Sequence, residues 1–162
     1  MSDTARRPKM KDLHWPQLMT CSVLIGTVLF AAVVLGSSLP AFGDQAEKIT
    51  AREASARMTN GTLTLVDIRA PAEWRKTGVA RGAALITMHQ DDERFLARLR
   101  ALIARTPGRA IGIICAAGGR SAGMQRTLSA LGIMTVDVFD GMLGGFNQPG
   151  WIRSGLPLRR LR

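Results

Sequence analysis

Ile111-Gly-Ile-Ile-Cys115-Ala-Ala-Gly-Gly-Arg120-Ser121 is the stretch from which the fold can be inferred. The apolar run that ends at Ile114 predicts a buried strand, and Arg120 and Ser121 begin a helical pattern after a loop of small residues. The N–H groups of such a loop and the positive end of the helix dipole converge on one point and stabilise an anion. A cysteine placed there is favoured as the thiolate, which is its nucleophilic form.

Predicted strands alternate with predicted helices along the rest of the chain. The strands are Ile49–Thr50, Thr62–Val66, Ala83–Ile86, Ala110–Ile114 and Met134–Phe139. The first predicted helix is capped by Thr50, and the second begins at Pro71. The third and fourth cover Asp91–Ala104 and Ser121–Leu131, and two segments are expected to be loops, Thr77–Gly82 and Gly141–Pro149. This alternation predicts an α/β sandwich with a mostly parallel sheet.

Three chemically active side chains follow predicted strands. Asp67, Cys115 and Asp140 each lie at the carboxyl end of one of them. Ligands of parallel α/β sheets bind beyond this edge, so the position of the thiol agrees with a functional role.

Residues 1–43 have the pattern of an export signal. Basic residues lie near the start, residues 18–39 contain no charged side chain, and the small residues Ala41 and Gly43 predict cleavage after Gly43. The mature domain would then be residues 44–162. Because 22 uncharged residues can also cross a bilayer, an uncleaved anchor is the alternative. In both cases we expect the domain in the periplasm, either released or anchored at the inner membrane.

Charge and cysteine content exclude several classes of function and site. Residues 44–162 contain 18 basic and 10 acidic side chains, a formal charge of +8. The arginines are scattered rather than arranged as a basic stripe with aromatics, so no nucleic-acid partner is expected. Cys115 is the only cysteine of this part and His89 its only histidine, so we predict neither an internal disulfide nor a metal site.

The Cys115 loop and several other segments together carry a family resemblance. Cys115 is followed by four residues and then Arg120-Ser121, and Asp67-Ile-Arg69 precedes Glu73-Trp74. Further matching segments are Thr77–Ala83, Phe139–Met142 and Gly155–Pro157. Together they resemble the rhodanese-like domain of single-domain sulfurtransferases over about residues 46 to 158. The resemblance implies a three-layer sandwich in which helices flank a mostly parallel five-stranded sheet.

The resemblance also implies a double displacement at Cys115. Its thiolate would take a sulfane sulfur from a small anionic donor such as thiosulfate, and a thiophilic acceptor (cyanide, a thiol or a protein thiol) would remove it. The residues that would bind the substrate are Ala116, Ala117, Gly118, Gly119, Arg120 and Ser121. Asp67 and Arg69 would support the site, and no cofactor is implied.

Two residues of the loop have alternative roles. Arg120 either supplies fixed positive charge or is a structural arginine paired with a carboxylate, for which we expect Asp67. Ser121 is expected to cap the following helix rather than to act as a catalyst.

The sequence departs from the family at two places. Many members have Gly-His-Ile-Pro-Gly where this chain has Gly78-Val-Ala-Arg-Gly82, and Ala116-Ala117 lacks the basic side chains of some thiosulfate-using members. Both differences bear on the identity of the donor more than on the class of reaction.

Three other functions fit the same thiol. A non-catalytic rhodanese module would carry sulfur to, or dock on, an exported partner. A small phosphatase or arsenate reductase would use the same loop, although related phosphatases place five residues rather than four between cysteine and arginine. A redox-sensing thiol would respond to peroxide without loading sulfur.

Overall fold

The computed structural model describes residues 46–145 and 147–161. The predicted export signal, its cleavage site and the alternative anchor lie outside these residues. The described chain forms β1 (Lys48–Ile49), α1 (Ala51–Thr59), β2 (Leu63–Asp67), α2 (Pro71–Thr77), β3 (Val79–Ala80), β4 (Ala84–Leu85), α3 (Asp92–Arg105), β5 (Ala110–Ile114), α4 (Gly119–Ala130), β6 (Val136–Val138), α5 (Gly150–Arg153) and β7 (Leu158–Arg159). None of its helices is both long and apolar enough to cross a membrane.

Five of the strands form one parallel sheet in the order β1-β6-β5-β2-β4. The apolar run of β5 occupies the centre, where both faces are covered, and its last three residues are fully buried or nearly so. The predicted α/β fold with a five-stranded parallel sheet flanked by helices is confirmed.

Helices cover both faces of this sheet and make the molecule three layers thick. One face packs against α1 and α5, through residues that include Ala54 and Trp151. The other face packs against α3 and α4, and its buried side chains include Phe95, Leu99 and Leu128. The apolar positions of α3 recur at helical spacing, so this helix buries one stripe and leaves its arginines in solvent.

The starts of two helices follow from their preceding residues. Thr50 Oγ1 accepts the N–H of Glu53 at 3.2 Å, and Asp91 Oδ1 accepts the N–H of Arg94 at 2.8 Å. Each side chain satisfies an amide that has no partner within its helix, which stabilises the first turn. The predicted cap at Thr50 is therefore confirmed.

The sequence did not predict a second, two-stranded sheet. β3 lies within the segment that was expected to be a loop, and it pairs antiparallel with β7. The pairing joins residues almost 80 positions apart over only two residues each, which is too short to leave a periodic pattern. Arg159, near the C-terminal end of the chain, is opposite Val79 in this ribbon.

The last strand of the parallel sheet is also shorter than predicted. β6 begins at Val136 rather than at Met134, whose side chain is 67% exposed. The short helix α5 was not predicted, because it has only four residues and follows a glycine-rich loop.

A buried ion pair, Asp67–Arg69, closes the carboxyl end of β2. Neither residue is accessible to solvent. The Arg69 guanidinium donates to both carboxylate oxygens of Asp67 at 2.7–3.1 Å, and also to Thr77 Oγ1 and the Gly78 carbonyl, both at 2.8 Å. Since Thr77 ends α2, the guanidinium ties the end of β2 to the end of this helix.

We expect Arg69→Ala to lower the free energy of unfolding by about 3–5 kcal/mol, because it leaves Asp67 as an uncompensated buried charge. Urea unfolding measures this difference. The matched control is Arg94→Ala, which removes a guanidinium that is 71% exposed and pairs loosely with Asp91; its expected effect is below about 0.5 kcal/mol. Equal losses in the two variants would contradict a structural role for the buried pair.

Candidate functional site

Cys115 directly follows β5 and points its thiol into the start of α4. The residue is 1% exposed. Its sulfur accepts the N–H of Gly118 at 3.2 Å and lies 3.5 Å from Ser121 Oγ. Ser121 Oγ itself donates to the Gly118 carbonyl at 2.9 Å, so it presents a lone pair to the thiol S–H. The predicted thiol loop is thus a compact turn closed on its own sulfur.

Helix α4 begins two residues earlier than the sequence suggested. The residue that precedes it is Gly118, in the left-handed conformation with φ 88°, and Gly119 is the first helical residue. Ser121 therefore lies inside the first turn, and the prediction that it caps the helix is wrong. The cap position is occupied by Gly118 and not by serine, because a Cβ at this position would overlap the carbonyl of Phe139 and the positive φ disfavours other residues.

The loop offers several backbone N–H groups to a ligand. Within the described residues, the amides of the following residues have no hydrogen-bond acceptor: Ala116, Ala117, Gly119, Arg120 and Ser121. The last three belong to the first turn of α4, whose amides have no intrahelical partner. Free amides beside a sulfur, at the positive end of a helix dipole, are suited to an anion or a persulfide.

The segment Phe139–Gly145 supports the loop from behind. The N–H groups of Met142 and Leu143 donate to the carbonyls of Cys115 and Ala116 at 2.9 and 2.8 Å. A Cβ at Gly141 would lie 2.6 Å from the Ala116 oxygen, so only glycine permits this approach. With its carbonyls bonded outward, the loop is held in one conformation.

Arg120 is paired with Glu73 of α2, not with Asp67 as expected. Its guanidinium donates to the two carboxylate oxygens of Glu73 at 2.9 and 2.6 Å. The expectation was wrong because the Asp67 carboxylate is already occupied by Arg69. Glu73 lies 47 positions from Arg120 along the chain, so no local pattern connects them.

The Arg120–Glu73 pair shifts the titration of both groups. Hydrogen bonding to the guanidinium lowers the pKa of Glu73 from its usual 4.5 to about 2, aided by the N–H of Ala70. The same bonds raise the pKa of Arg120. Of the two roles that the sequence left open, the structure shows the pairing with a carboxylate.

His89 is a further neighbour of the site. Its Nε2 lies 3.4 Å from Arg120 Nη1, although the ring is exposed. Ala117 and the 45% exposed Leu143 also leave apolar groups beside the loop.

The carboxylates at the other strand ends stabilise the structure. Asp67 holds Arg69, and Asp140 Oδ1 accepts the N–H of Ala51 at 2.8 Å, at the start of α1. Burial raises the pKa of Asp140, and its amide hydrogen bonds counteract this in part. The supporting role predicted for Asp67 and Arg69 is therefore seen as a contact with α2, not with Cys115.

A buried carboxylate that the sequence analysis did not single out lies in the middle of β6. Asp137 is 1% exposed, and within the described chain its Oδ1 has no hydrogen-bond partner. Burial raises its pKa, and the charges of Lys48 and Arg126 act in the opposite direction.

No metal-binding cluster of three His, Cys, Asp or Glu side chains occurs in residues 46–145 and 147–161.

We expect Glu73→Gln to destabilise the protein by about 0.5–1 kcal/mol at neutral pH, since it removes a partly exposed ion pair. Because the pKa of Glu73 is lowered on folding, the pair stabilises the folded state above pH 4.5, and this contribution is lost as the pH falls toward 2. Thermal melts should show a smaller difference in melting temperature between Glu73→Gln and wild type at pH 3 than at pH 7.

The control for this prediction is Glu93→Gln, which changes an exposed carboxylate of α3 that has no ion pair in the described part of the chain. Its melting temperature should follow that of wild type at both pH values. A Glu73→Gln deficit that stays constant from pH 7 to pH 3 would rule out the ion pair as its cause.

Comparison with known proteins agrees with this architecture. The sequence model of one protein family, the rhodanese-like domain, matches residues 50–148. Among solved structures, Rv0390 from M. tuberculosis is 29% identical, with a TM-score of 0.53 over 72% of this chain and 98% of its own. A rhodanese-like domain protein from Staphylococcus aureus is 26% identical, with a TM-score of 0.46 over 63% of this chain and 95% of its own.

A polysulfide-sulfur transferase homodimer from Wolinella succinogenes is 21% identical, with a TM-score of 0.47 over 71% of this chain and 79% of its own. No curated protein matches the sequence. The family match covers more than half of the chain and includes the cysteine loop. The chain therefore belongs to the rhodanese-like domain family.

Proposed function

We propose that this protein is a sulfurtransferase in which Cys115 carries a sulfane sulfur as a persulfide. The observation that carries the proposal is the thiol loop: the Cys115 sulfur accepts the Gly118 N–H and lies beside amides that have no acceptor in the described residues. Amides without an acceptor beside the sulfur are suited to hold the negative charge of a persulfide.

The proposed reaction has two steps. The thiolate attacks the outer sulfur of the donor, and the S–S bond between that sulfur and the rest of the donor breaks. The leaving group, sulfite when the donor is thiosulfate, departs with the electron pair. An acceptor nucleophile then attacks the terminal sulfur of the persulfide, and the Cys115 thiolate leaves with the electrons of the broken bond.

The free amides of the loop are the groups that we expect to bind the sulfur and the donor. Arg120 adds positive charge at the same place, but its bonds to Glu73 neutralise much of it. Ala116 and Ala117 contribute no charge. We therefore infer that backbone amides, rather than a cluster of cationic side chains, provide most of the anion binding, and we use thiosulfate and cyanide as the probe donor and acceptor.

The first test is the mass of the purified full chain after exposure to thiosulfate. We expect a gain of one sulfur atom, which cyanide removes. Peptide mapping must place it on Cys115, since the chain also contains Cys21. Cys115→Ser should gain nothing. A folded protein with a titratable Cys115 that loads no sulfur from thiosulfate, mercaptopyruvate or polysulfide would overturn the proposal.

Two neighbouring glycines supply a matched pair of variants for the same assay. Gly118→Ala introduces a methyl group that overlaps the Phe139 carbonyl at a positive φ, whereas a methyl group at Gly119 meets nothing within 4 Å. We expect Gly118→Ala to slow sulfur loading by about 10²-fold or more, as is typical when an oriented amide donor is lost. Gly119→Ala should load at nearly the wild-type rate. Equal rates would show that the loop conformation does not matter.

The rival functions give different outcomes in these assays. Hydrolysis of nitrophenyl phosphate that disappears in Cys115→Ser would favour a phosphatase. Sulfur loading that turns over only with a protein acceptor would favour a sulfur-carrying module.

We further infer that the domain acts outside the cytoplasm, either released by cleavage after Gly43 or anchored through residues 18–39. The support is the basic start and the uncharged run of the sequence. In a bacterial host with a periplasm, the protein should fractionate as exported, beginning at Asp44 or retaining its leader in the membrane. Leu29→Lys should hold it in the cytoplasm, while Leu29→Ile should not. Wild-type protein recovered uncleaved from the cytosol would contradict export.

A further inference from the structure

A cavity at the other end of the sheet from Cys115 takes no part in the proposed sulfur chemistry. Its volume is about 560 Å³, within the range of sites that hold small organic ligands. Its walls come from α1, the first half of β2, the turn before β4, the end of α3 and the segment after α5. We call it the β2-edge cavity; the lining residues that the argument uses are Met58, Leu63, Arg81, Leu102, Arg109 and Pro157.

One wall of this cavity is an uncovered strand edge. The backbone groups of even-numbered residues along β2 form hydrogen bonds with β5, as the flanking Thr62 O and Ile68 N show. The backbone groups of the odd-numbered residues therefore point toward β4. β4 begins only opposite Val66, which leaves the edge of β2 at Leu63 without a neighbouring strand in the described residues. Backbone groups of such an edge are available for hydrogen bonds to a ligand.

Part of the accessible wall of the β2-edge cavity is apolar. Met58, Leu102 and Pro157 line it and are at least partly exposed, and none of the lining residues is acidic. An apolar wall favours a ligand with a hydrocarbon or aromatic body, because burying that surface releases water.

Two arginines supply charge to the same cavity. Arg81, in the turn between β3 and β4, and Arg109, after α3, are both exposed lining residues. In the part of the chain that the structure describes, neither guanidinium forms an ion pair. The two therefore remain available for a planar oxyanion, the group that guanidinium binds best.

We propose that the β2-edge cavity binds a small amphipathic oxyanion, with its charged group at Arg81 and Arg109 and its apolar body against Met58, Leu102 and Pro157. A carboxylate or a sulfonate on an aromatic or short aliphatic body has this chemistry. The site is separate from the thiol loop, whose residues do not line the cavity. Binding here does not depend on sulfurtransferase activity.

The test is titration calorimetry of the full chain with phenylbutyrate as the probe. Wild type should bind it, and binding should weaken with added salt. Arg81→Gln and Arg109→Gln should each raise the Kd by about tenfold, the loss expected for one charged hydrogen bond. Arg100→Gln is the matched control, since this exposed arginine of α3 does not line the cavity; its Kd should equal that of wild type.

Uncharged phenylbutanol and cationic phenylbutylamine serve as ligand controls, and both should bind at least tenfold more weakly than phenylbutyrate. Equal affinity for phenylbutanol, an unchanged Kd in both arginine variants, or no binding by wild type would each overturn the proposal. Melting temperatures confirm that the variants are folded. Sulfur loading at Cys115 measured on the same variants should be unchanged, which separates a failure of this site from a failure of the proposed reaction.

Discussion

The close contact between the Cys115 loop and the segment Phe139–Gly145 is the constraint on which the site depends. Carbonyl oxygens of the loop are bonded to the amides of Met142 and Leu143, and two glycines allow the backbones to approach. A short loop has few ways to satisfy its backbone groups. Once its carbonyls are directed outward, its N–H groups remain for the sulfur side. Electrostatic preorganisation at Cys115 is thus a consequence of packing between two turns.

Helix α2 connects this site to the rest of the fold through two ion pairs of different kinds. The first, Arg69 with Asp67, is completely buried and fixes the helix end at Gly78. The second, Glu73 with Arg120, is about one third exposed and reaches the thiol loop. Removing a partner from the first leaves a charge in the interior, whereas water can replace a partner in the second. The buried pair is therefore expected to contribute more to stability than the exposed pair.

Features with a local pattern were predicted well from the sequence. The apolar run of β5, the amphipathic repeat of α3 and the cap at Thr50 each depend on residues that are neighbours in the chain. Pairings between distant residues were missed or wrong: the β3–β7 ribbon and the partner of Arg120 leave no periodic signal. The error at Ser121 has another cause. Serine is the commoner cap, but here the space beside Phe139 admits only glycine.

The contacts from Met142 and Leu143 also determine when the thiol loop can take its folded conformation during synthesis. β5 and α4 leave the ribosome before the segment that bonds to the carbonyls of Cys115 and Ala116. Until Met142 and Leu143 have emerged, these two carbonyls lack their donors. The loop can therefore be completed only when nearly the whole domain has been made.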